Sequence, residues 1–255
     1  MLLNIAERHK LILEKLKKNG FVEVADLSQE FGVSLVTIRK DLKALEDKKL
    51  LFRSHGRAIP SNPYTTEHHV HVKEKFKTKE KIRIATAAGL VLEPNDSIII
   101  ASGTSVIQFA KHLKPVEGLT VLTASLNTAL ILSENSNIDV IQLGGNIRRS
   151  SSSVIGPISE KMLAEFTFTK LFLGVDGIDL DFGLTTTSSM EASLNKVMIK
   201  AAQKIIVLAD SSKFGKKGFG RICGLEDVDQ IITDSDIDDL TKNRLQELGI
   251  DVTIT

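Results

Sequence analysis

The chain has 255 residues, 42% of them hydrophobic and 25% charged, which is ordinary for a globular protein and long enough for a small domain beside a larger one. Disorder and a collagen-like repeat are excluded, no apolar run reaches the ~18 residues of a membrane span, and the single cysteine, Cys223, excludes an internal disulfide and a cysteine-cluster zinc site. The net charge of +1 hides an asymmetry: residues 1–83 carry 18 Lys+Arg against 11 Asp+Glu, whereas residues 84–255 carry 15 against 21. A basic head on an acidic body points to a polyanion partner for the head; chance segregation of solvated charge is the alternative. The first residues, MLLNIAERHKLILEKLKK, alternate charged and apolar side chains and so do not read as a signal peptide. A soluble, cytoplasmic protein without a membrane partner is expected.

In chain order, Ile5, Leu11, Ile12, Leu13 and Leu16 recur at helical spacing up to a stop at Asn19-Gly20. Phe21-Val22 fits a short extended piece. Ala25–Phe31 reads as a second helix closed by Gly32. Ser34 is a good N-cap for a third, from Leu35 to about Lys48, whose core face holds Ile38, Leu42 and Leu45. Leu50–Ile59 fits two short strands around a glycine turn.

Pro60-Ser61-Asn62-Pro63 closes this first domain, expected over residues 1–60. A basic connector follows over 61–83, helical from about His68, with Lys73, Lys75, Lys77, Lys79 and Lys81 at alternate positions; strict alternation does not place five lysines on one helix face, so solvated linker is the reading for them. From 84 to 255 short apolar strands alternate with helices, the expected α/β effector-sensing and oligomerisation domain. The strands are expected at Ser97–Ala101, Thr120–Thr123, Asp139–Leu143, Lys170–Val175, Lys204–Ala209, Gln230–Thr233 and Asp251–Ile254, with helices such as Ser105–Leu113, Leu126–Glu134 and Leu240–Leu248 between them. Runs such as Ile98-Ile99-Ile100 are apolar throughout, the pattern of a parallel sheet covered on both faces. The fold class is therefore α/β: a winged helix-turn-helix followed by a Rossmann-like domain with a mainly parallel sheet.

Two helices, a tight turn and a capped third helix suit double-stranded DNA. The third helix offers Leu35, Thr37, Arg39, Lys40 and Lys43, with Ser34 at its start; the hairpin offers Arg53, His55 and Arg57 as a wing. Arg matches a guanine edge, Lys neutralises phosphate, and Thr bonds or packs on thymine. A surface helix with solvated cations is the plainer reading of such a segment taken alone.

In an open α/β sheet, ligands sit at the carboxyl ends of the strands. Gly103-Thr104-Ser105 follows one strand and opens a helix, which suits a phosphate. Lys213 follows another strand and supplies a cation. Asp176, Asp179 and Glu191 can accept hydrogen bonds from sugar hydroxyls, and Arg148 lies beyond the Gly144-Gly145 turn, placed to close over an anion. Each glycine alone also fits a turn, and Asp210-Ser211 a cap.

The first domain resembles the DeoR family of bacterial transcriptional regulators. The residues that carry the resemblance are Arg8, Ile12 and Leu16, then Ser34-Leu35-Val36-Thr37-Ile38-Arg39-Lys40-Asp41-Leu42, then His55-Gly56-Arg57-Ala58, where Arg57 replaces a second glycine. The second domain is similar to that family's sensor domain and so to the sugar-phosphate isomerase fold, through Gly103-Thr104-Ser105, Leu143-Gly144-Gly145, Gly174–Asp179, Gly183–Thr186, Glu191-Ala192 and Ala209–Gly215. The resemblance implies a homo-oligomeric repressor, a dimer or tetramer, of a carbohydrate operon, released by a phosphorylated sugar. The chain departs from the family pattern at Ala101, Ala124 and Asn195, where Asp, Asn and Lys are usual. Asp176-Gly177-Ile178-Asp179 also resembles the Asp-Gly-Ala-Asp of ribose-5-phosphate isomerase, which makes a sugar-phosphate isomerase or deaminase the alternative; the expectation is that the chain is not an enzyme. His68-His69-Val70-His71 invites a metal, but adjacent histidines in a polar linker are read as solvated, and neither metal nor cofactor is expected.

Overall fold

In the computed structural model, residues 3–19, 21–48, 50–54, 57–60 and 70–255 are described, and the chain divides into two compact units, Met1–His68 and His69–Thr255. The expected sites at His55-Gly56 and at His68-His69 lie outside the described residues.

The first unit is built from α1 (Ile5–Asn19), β1 (Val22–Glu23), α2 (Val24–Phe31), α3 (Leu35–Asp47), β2 (Leu51–Ser54) and β3 (Arg57–Pro60). Asn4 and Glu7 exchange side-chain and backbone hydrogen bonds of 2.9 and 3.0 Å, closing the start of α1. Gly32, at φ +63°, ends α2 with its N–H on the Ser28 carbonyl. Ser34 Oγ then accepts the Thr37 N–H at 3.1 Å and starts α3. Ile12, Leu16, Leu27, Phe31, Ile38, Leu42 and Leu45 form one buried core, closed below by the antiparallel strands in the order β1-β3-β2. The expected inner face of α3 is thus the observed one.

The second unit comprises α4 (Val70–Lys73), α5 (Thr78–Gly89), β4 (Ser97–Ile100), α6 (Thr104–His112), β5 (Thr120–Thr123), α7 (Leu126–Ser133), β6 (Asp139–Gln142), β7 (Asn146–Arg148), β8 (Ser153–Ile155), α8 (Pro157–Leu163), β9 (Phe168–Leu173), β10 (Gly177–Asp179), β11 (Gly183–Thr186), α9 (Ser189–Ala201), β12 (Ala202–Leu208), β13 (Gly220–Cys223), β14 (Gln230–Thr233), α10 (Asp239–Glu247) and β15 (Asp251–Ile254). Seven strands make one sheet in the order β15-β14-β12-β9-β4-β5-β6, and every pairing in it is parallel. These are the seven strands expected from the apolar runs. Ile98, Ile100, Phe172, Ile206 and Leu208 pack on one face with Ile84, Ala88 and Phe109, while Ile99, Leu171, Leu173 and Val207 pack on the other with Leu194, Met198 and Leu245. Alternate residues of each strand feed opposite cores, which is why the strands are apolar throughout.

Two antiparallel pieces were not expected: the hairpin β7-β8 and the small sheet β10-β11-β13. The sequence reading also set 61–83 aside as a linker with solvated lysines. In the structure α4 and α5 belong to the second unit, Lys81 is only 2% exposed, and Lys73 and Lys77 are partly buried. The alternation does not describe one helix, because Lys77 at φ +50° separates α4 from α5, and Lys73, Lys77 and Lys81 turn inward from three different settings.

The chain lays down β4, β5 and β6 outward in one direction, then returns to β9 on the other side of β4 and continues through β12, β14 and β15. The order reverses between β4 and β9. Loops leaving neighbouring strands in opposite directions open a crevice at such a point.

Candidate functional site

On the first unit, α3 presents its outer face. Val36, Arg39, Lys40 and Lys43 fall at i, i+3, i+4 and i+7 and are all exposed, with Val36 57% and Leu35 44% accessible. Val36 was missed by the sequence reading, although this spacing to Arg39, Lys40 and Lys43 was available. Thr37 is partly buried and shares a 2.9 Å hydrogen bond with Ser34, so both hydroxyls serve the cap. Arg53 is braced by Glu46, through Nε at 2.6 Å and its backbone N–H at 2.8 Å. Arg57 pairs with Glu23 at 2.7 Å and lies over the Phe21 ring at 5.6 Å. Both expected wing arginines are therefore engaged within the unit. Arg8 of α1 grips Asp41 of α3 with two bonds, 2.7 and 3.1 Å, in the interior.

In the second unit, the crevice lies between the loops after β4 and β9; a methyl group added to Gly174 would sit 3.1 Å from the Ser102 carbonyl and 3.9 Å from Gly103 Cα. Gly103, at φ +124°, starts α6, and open space lies beyond its Cα. That backbone conformation disfavours any side chain at the point where the first N–H groups of α6 lack helical partners. Thr104 and Ser105 are buried there.

Across the crevice, β11 and α9 bring two carboxylates together. Glu191 accepts Ser102 Oγ at 2.6 Å, Arg148 at 2.6 Å and Thr186 Oγ1 at 3.1 Å. Asp176 accepts the same Thr186 hydroxyl and the Thr187 N–H, each at 3.1 Å, and pairs with Lys73 at 2.6 Å. Burial alone would raise the Asp176 carboxyl, but Lys73, Lys213 and the Thr187 N–H outweigh it and hold the group well below the usual carboxylate range. Lys213, in a 3-10 turn after β12, also acts on Asp210, which is buried and held below the ordinary range by Lys213, Lys81 and Ser212 against the cost of burial.

The same cations repel one another. Burial, and then Lys213, bring Lys81 down from 10.5 to about 8; Lys216 falls to about 8 for the same two reasons. Lys73, Lys81, Lys213, Lys216 and Arg148 thus lie among Asp176, Asp210 and Glu191 at the strand ends, with buried Asp234 bonded to the Ser211 N–H and Glu74 acting on Lys81.

The structure brings together Gly103, Thr104, Ser105, Arg148, Asp176, Glu191 and Lys213 of the expected residues. It leaves out Asp179, whose carboxylate accepts the Asp181 and Phe182 N–H groups and meets Lys217 at 3.3 Å, closing the β10-β11 turn. Asp179 reads as a turn cap because it ends a strand that leaves the sheet. Gly145, at φ +147°, lies against Ser159 and the Ile155 carbonyl, while the Gly144 carbonyl accepts Ser159 Oγ at 2.7 Å. The Gly144 carbonyl and the close approach at Gly145 thus seat α8, while open space lies beyond the Gly144 Cα. Ala101, Ala124 and Asn195 are all buried, the two alanines within the apolar core. Lys73, Lys81, Asp210 and Lys216 were missing from the expected set. Among the described residues no helix is long and apolar enough to cross a membrane, and no His/Cys/Asp/Glu group is placed to hold a metal ion.

Comparison with known proteins places both units. The DeoR-like helix-turn-helix domain matches residues 8–63 and the DeoR C terminal sensor domain matches residues 77–235. A putative aga operon transcriptional repressor from Escherichia coli O157:H7 is 35% identical, covering 97% of this chain and 93% of its own. The glycerol-3-phosphate regulon repressor of Escherichia coli K12 is 30% identical, covering 90% of each. Among solved structures, ribose 5-phosphate isomerase A from Neisseria gonorrhoeae superposes with a TM-score of 0.39 at 17% identity over 52% of each chain.

Proposed function

This chain belongs to the DeoR family, and from that premise we propose that it is a cytoplasmic DNA-binding repressor of a carbohydrate-utilisation operon, released by a phosphorylated sugar. The observation that carries the sensor half is the cluster of Lys81, Lys213 and Lys216 at the strand ends, close enough for Lys213 to lower the other two. Thr104, Ser105 and the start of α6 are assigned to the phosphate together with Lys213, Lys81 and Lys216; Asp176, Glu191 and Arg148 are assigned to the hydroxyls. The relatives' names support the substrate class, since one is a regulator of a phosphate ester's regulon. The chain is read as a sensor and not an enzyme: of the two carboxylates shared with the isomerase-like motif, Asp179 closes a turn beside Lys217, and Asp176, held so far below its usual range, is a weak general base.

The anion reading has a pH signature. Burial and the nearby Lys213 bring Lys81 and Lys216 down to about 8. An anion beside them favours their charged forms and raises both values, so binding takes up protons above pH 8. Affinity is then greatest below pH 8 and falls as pH rises through it, by up to about tenfold per unit for each proton. Calorimetry with inorganic phosphate near pH 8.5, in two buffers of different ionisation heat, should show net proton uptake by the protein. Identical heats in both buffers would remove the lysines from the anion site.

The DNA half assigns base reading to Arg39, with Val36 and Leu35 packing on base methyl groups and Lys40 and Lys43 on phosphates. Arg39→Ala should cost about 1–3 kcal/mol on a duplex selected from a random pool and relax preference at one position. Lys43→Ala should weaken all sequences alike and reduce the salt slope by about one unit. Because one such unit reads few base pairs, the protein is proposed to act as a homo-oligomer, and the selected duplexes should carry two half-sites about 34–36 Å apart or a multiple of that. Unchanged affinity for Arg39→Ala, or a single unrepeated half-site, contradicts these assignments.

A further inference from the structure

The first described element after the DNA-binding unit is α4, only four residues long. A helix this short does not hold itself together in water, so its place depends on what it touches. Val70 is buried and its N–H donates to the Ser150 carbonyl at 2.7 Å. Lys77, at φ +50° between α4 and α5, reaches Asp236 at 2.7 Å, and Glu74 meets Lys111 at 3.4 Å. Two further contacts go to groups of the strand-end site. Lys73 Nζ lies 2.6 Å from Asp176 Oδ1, and Lys81 Nζ donates to the carbonyls of Lys73 and Phe76 at 2.8 and 2.7 Å.

Each of these two contacts copies one that a ligand would make. An ammonium donating to Asp176 stands where a sugar hydroxyl would donate. Carbonyl oxygens on Lys81 stand where phosphate oxygens would accept. We propose that α4 is an internal competitor for the sensor site: a phosphorylated polyol takes Asp176 with its hydroxyls and Lys81 with its phosphate, and so frees α4. The proposal rests on the anion-site reading given above and names how that site is regulated. Occupancy is thereby reported to the segment through which the DNA-binding unit is joined, and ligand affinity is reduced by the fraction of molecules with α4 docked.

The test uses the full chain with inorganic phosphate as probe. Amide exchange over residues 70–78, read by mass spectrometry, should quicken when phosphate is added. Lys73→Met should quicken it without phosphate and should raise phosphate affinity about fivefold or more, because the Lys73–Asp176 pair that holds α4 is largely shielded from solvent. Lys73→Arg should behave like the parent. The sign is decisive, because removing a cation from an uncontested anion site lowers affinity. Slower or unchanged exchange with phosphate, or a fall or no change in affinity for Lys73→Met, overturns the proposal while leaving the anion-site reading standing. A parent chain that binds no phosphate overturns both.

Discussion

Arg8→Met should leave the DNA-binding unit unfolded or nearly so, a loss of about 3–5 kcal/mol. Arg8 and Asp41 are both buried and joined by two hydrogen bonds, and Arg8 also donates to the Leu3 carbonyl at 2.9 Å. Without Arg8, the Asp41 carboxylate stays in the interior with only His9, at 3.2 Å, to offset its lost hydration. A unit of this size has roughly 3–10 kcal/mol of stability in total, so the loss is comparable with the whole. Asp41→Leu should do similar damage by stranding the guanidinium. The double variant Arg8→Met/Asp41→Leu should recover most of it, since a buried pair removed as a pair costs little. Amide exchange at Ile12 and Leu42 reads the opening free energy of this unit apart from the rest of the chain. Losses under about 1 kcal/mol, or a double variant no better than either single, would contradict this role. The pair clamps α1 onto α3 and so sets the helix that carries Arg39.

The seven sheet strands were legible because burial on both faces leaves unbroken apolar runs, which few other environments produce. The inner face of α3 was legible from its period. Gly177–Asp179 and Gly183–Thr186 were not read as strands, because glycines and short polar residues there match a ligand loop as well as an accessory hairpin. Local pattern also misled at Asp179, where a turn cap and a ligand carboxylate call for the same residue. The lysines of 73–81 failed for a different reason. Lys73 and Lys77 turn inward to partners more than a hundred residues away, Asp176 and Asp236, which no local window contains, and Lys81 bonds the nearby Lys73 and Phe76 carbonyls only because the chain folds back there. Asp210 was legible as a cap and is one, bonding the Ser212 N–H at 3.1 Å; its second role beside Lys81 and Lys213 appears only once β12 and α5 are packed together.

The second large effect is the coupling itself. Lys213 lowers Asp176, Asp210, Lys81 and Lys216 together, so it stands at the electrostatic centre of the site. Lys213→Ala should remove the response to a metabolite, yet leave DNA binding in its absence intact, because α3 lies in the other unit. A ligand that binds one arrangement better than another typically changes affinity at a second site about 5- to 150-fold, or about 1–3 kcal/mol. Should no phosphorylated sugar act, Ala101, Ala124 and Asn195 become the residues to restore to Asp, Asn and Lys, since each removes a charge or an amide that the family pattern carries.

The most direct measurement is fluorescence anisotropy of a selected duplex titrated with the full chain, with and without a panel of pentose and hexose phosphates, for the parent and for Lys213→Ala. At least one phosphorylated sugar should weaken the parent's binding about 5- to 150-fold, and Lys213→Ala should bind the bare duplex like the parent while ignoring that sugar. A parent indifferent to every phosphorylated sugar, or a Lys213→Ala chain that responds as the parent does, would contradict the account.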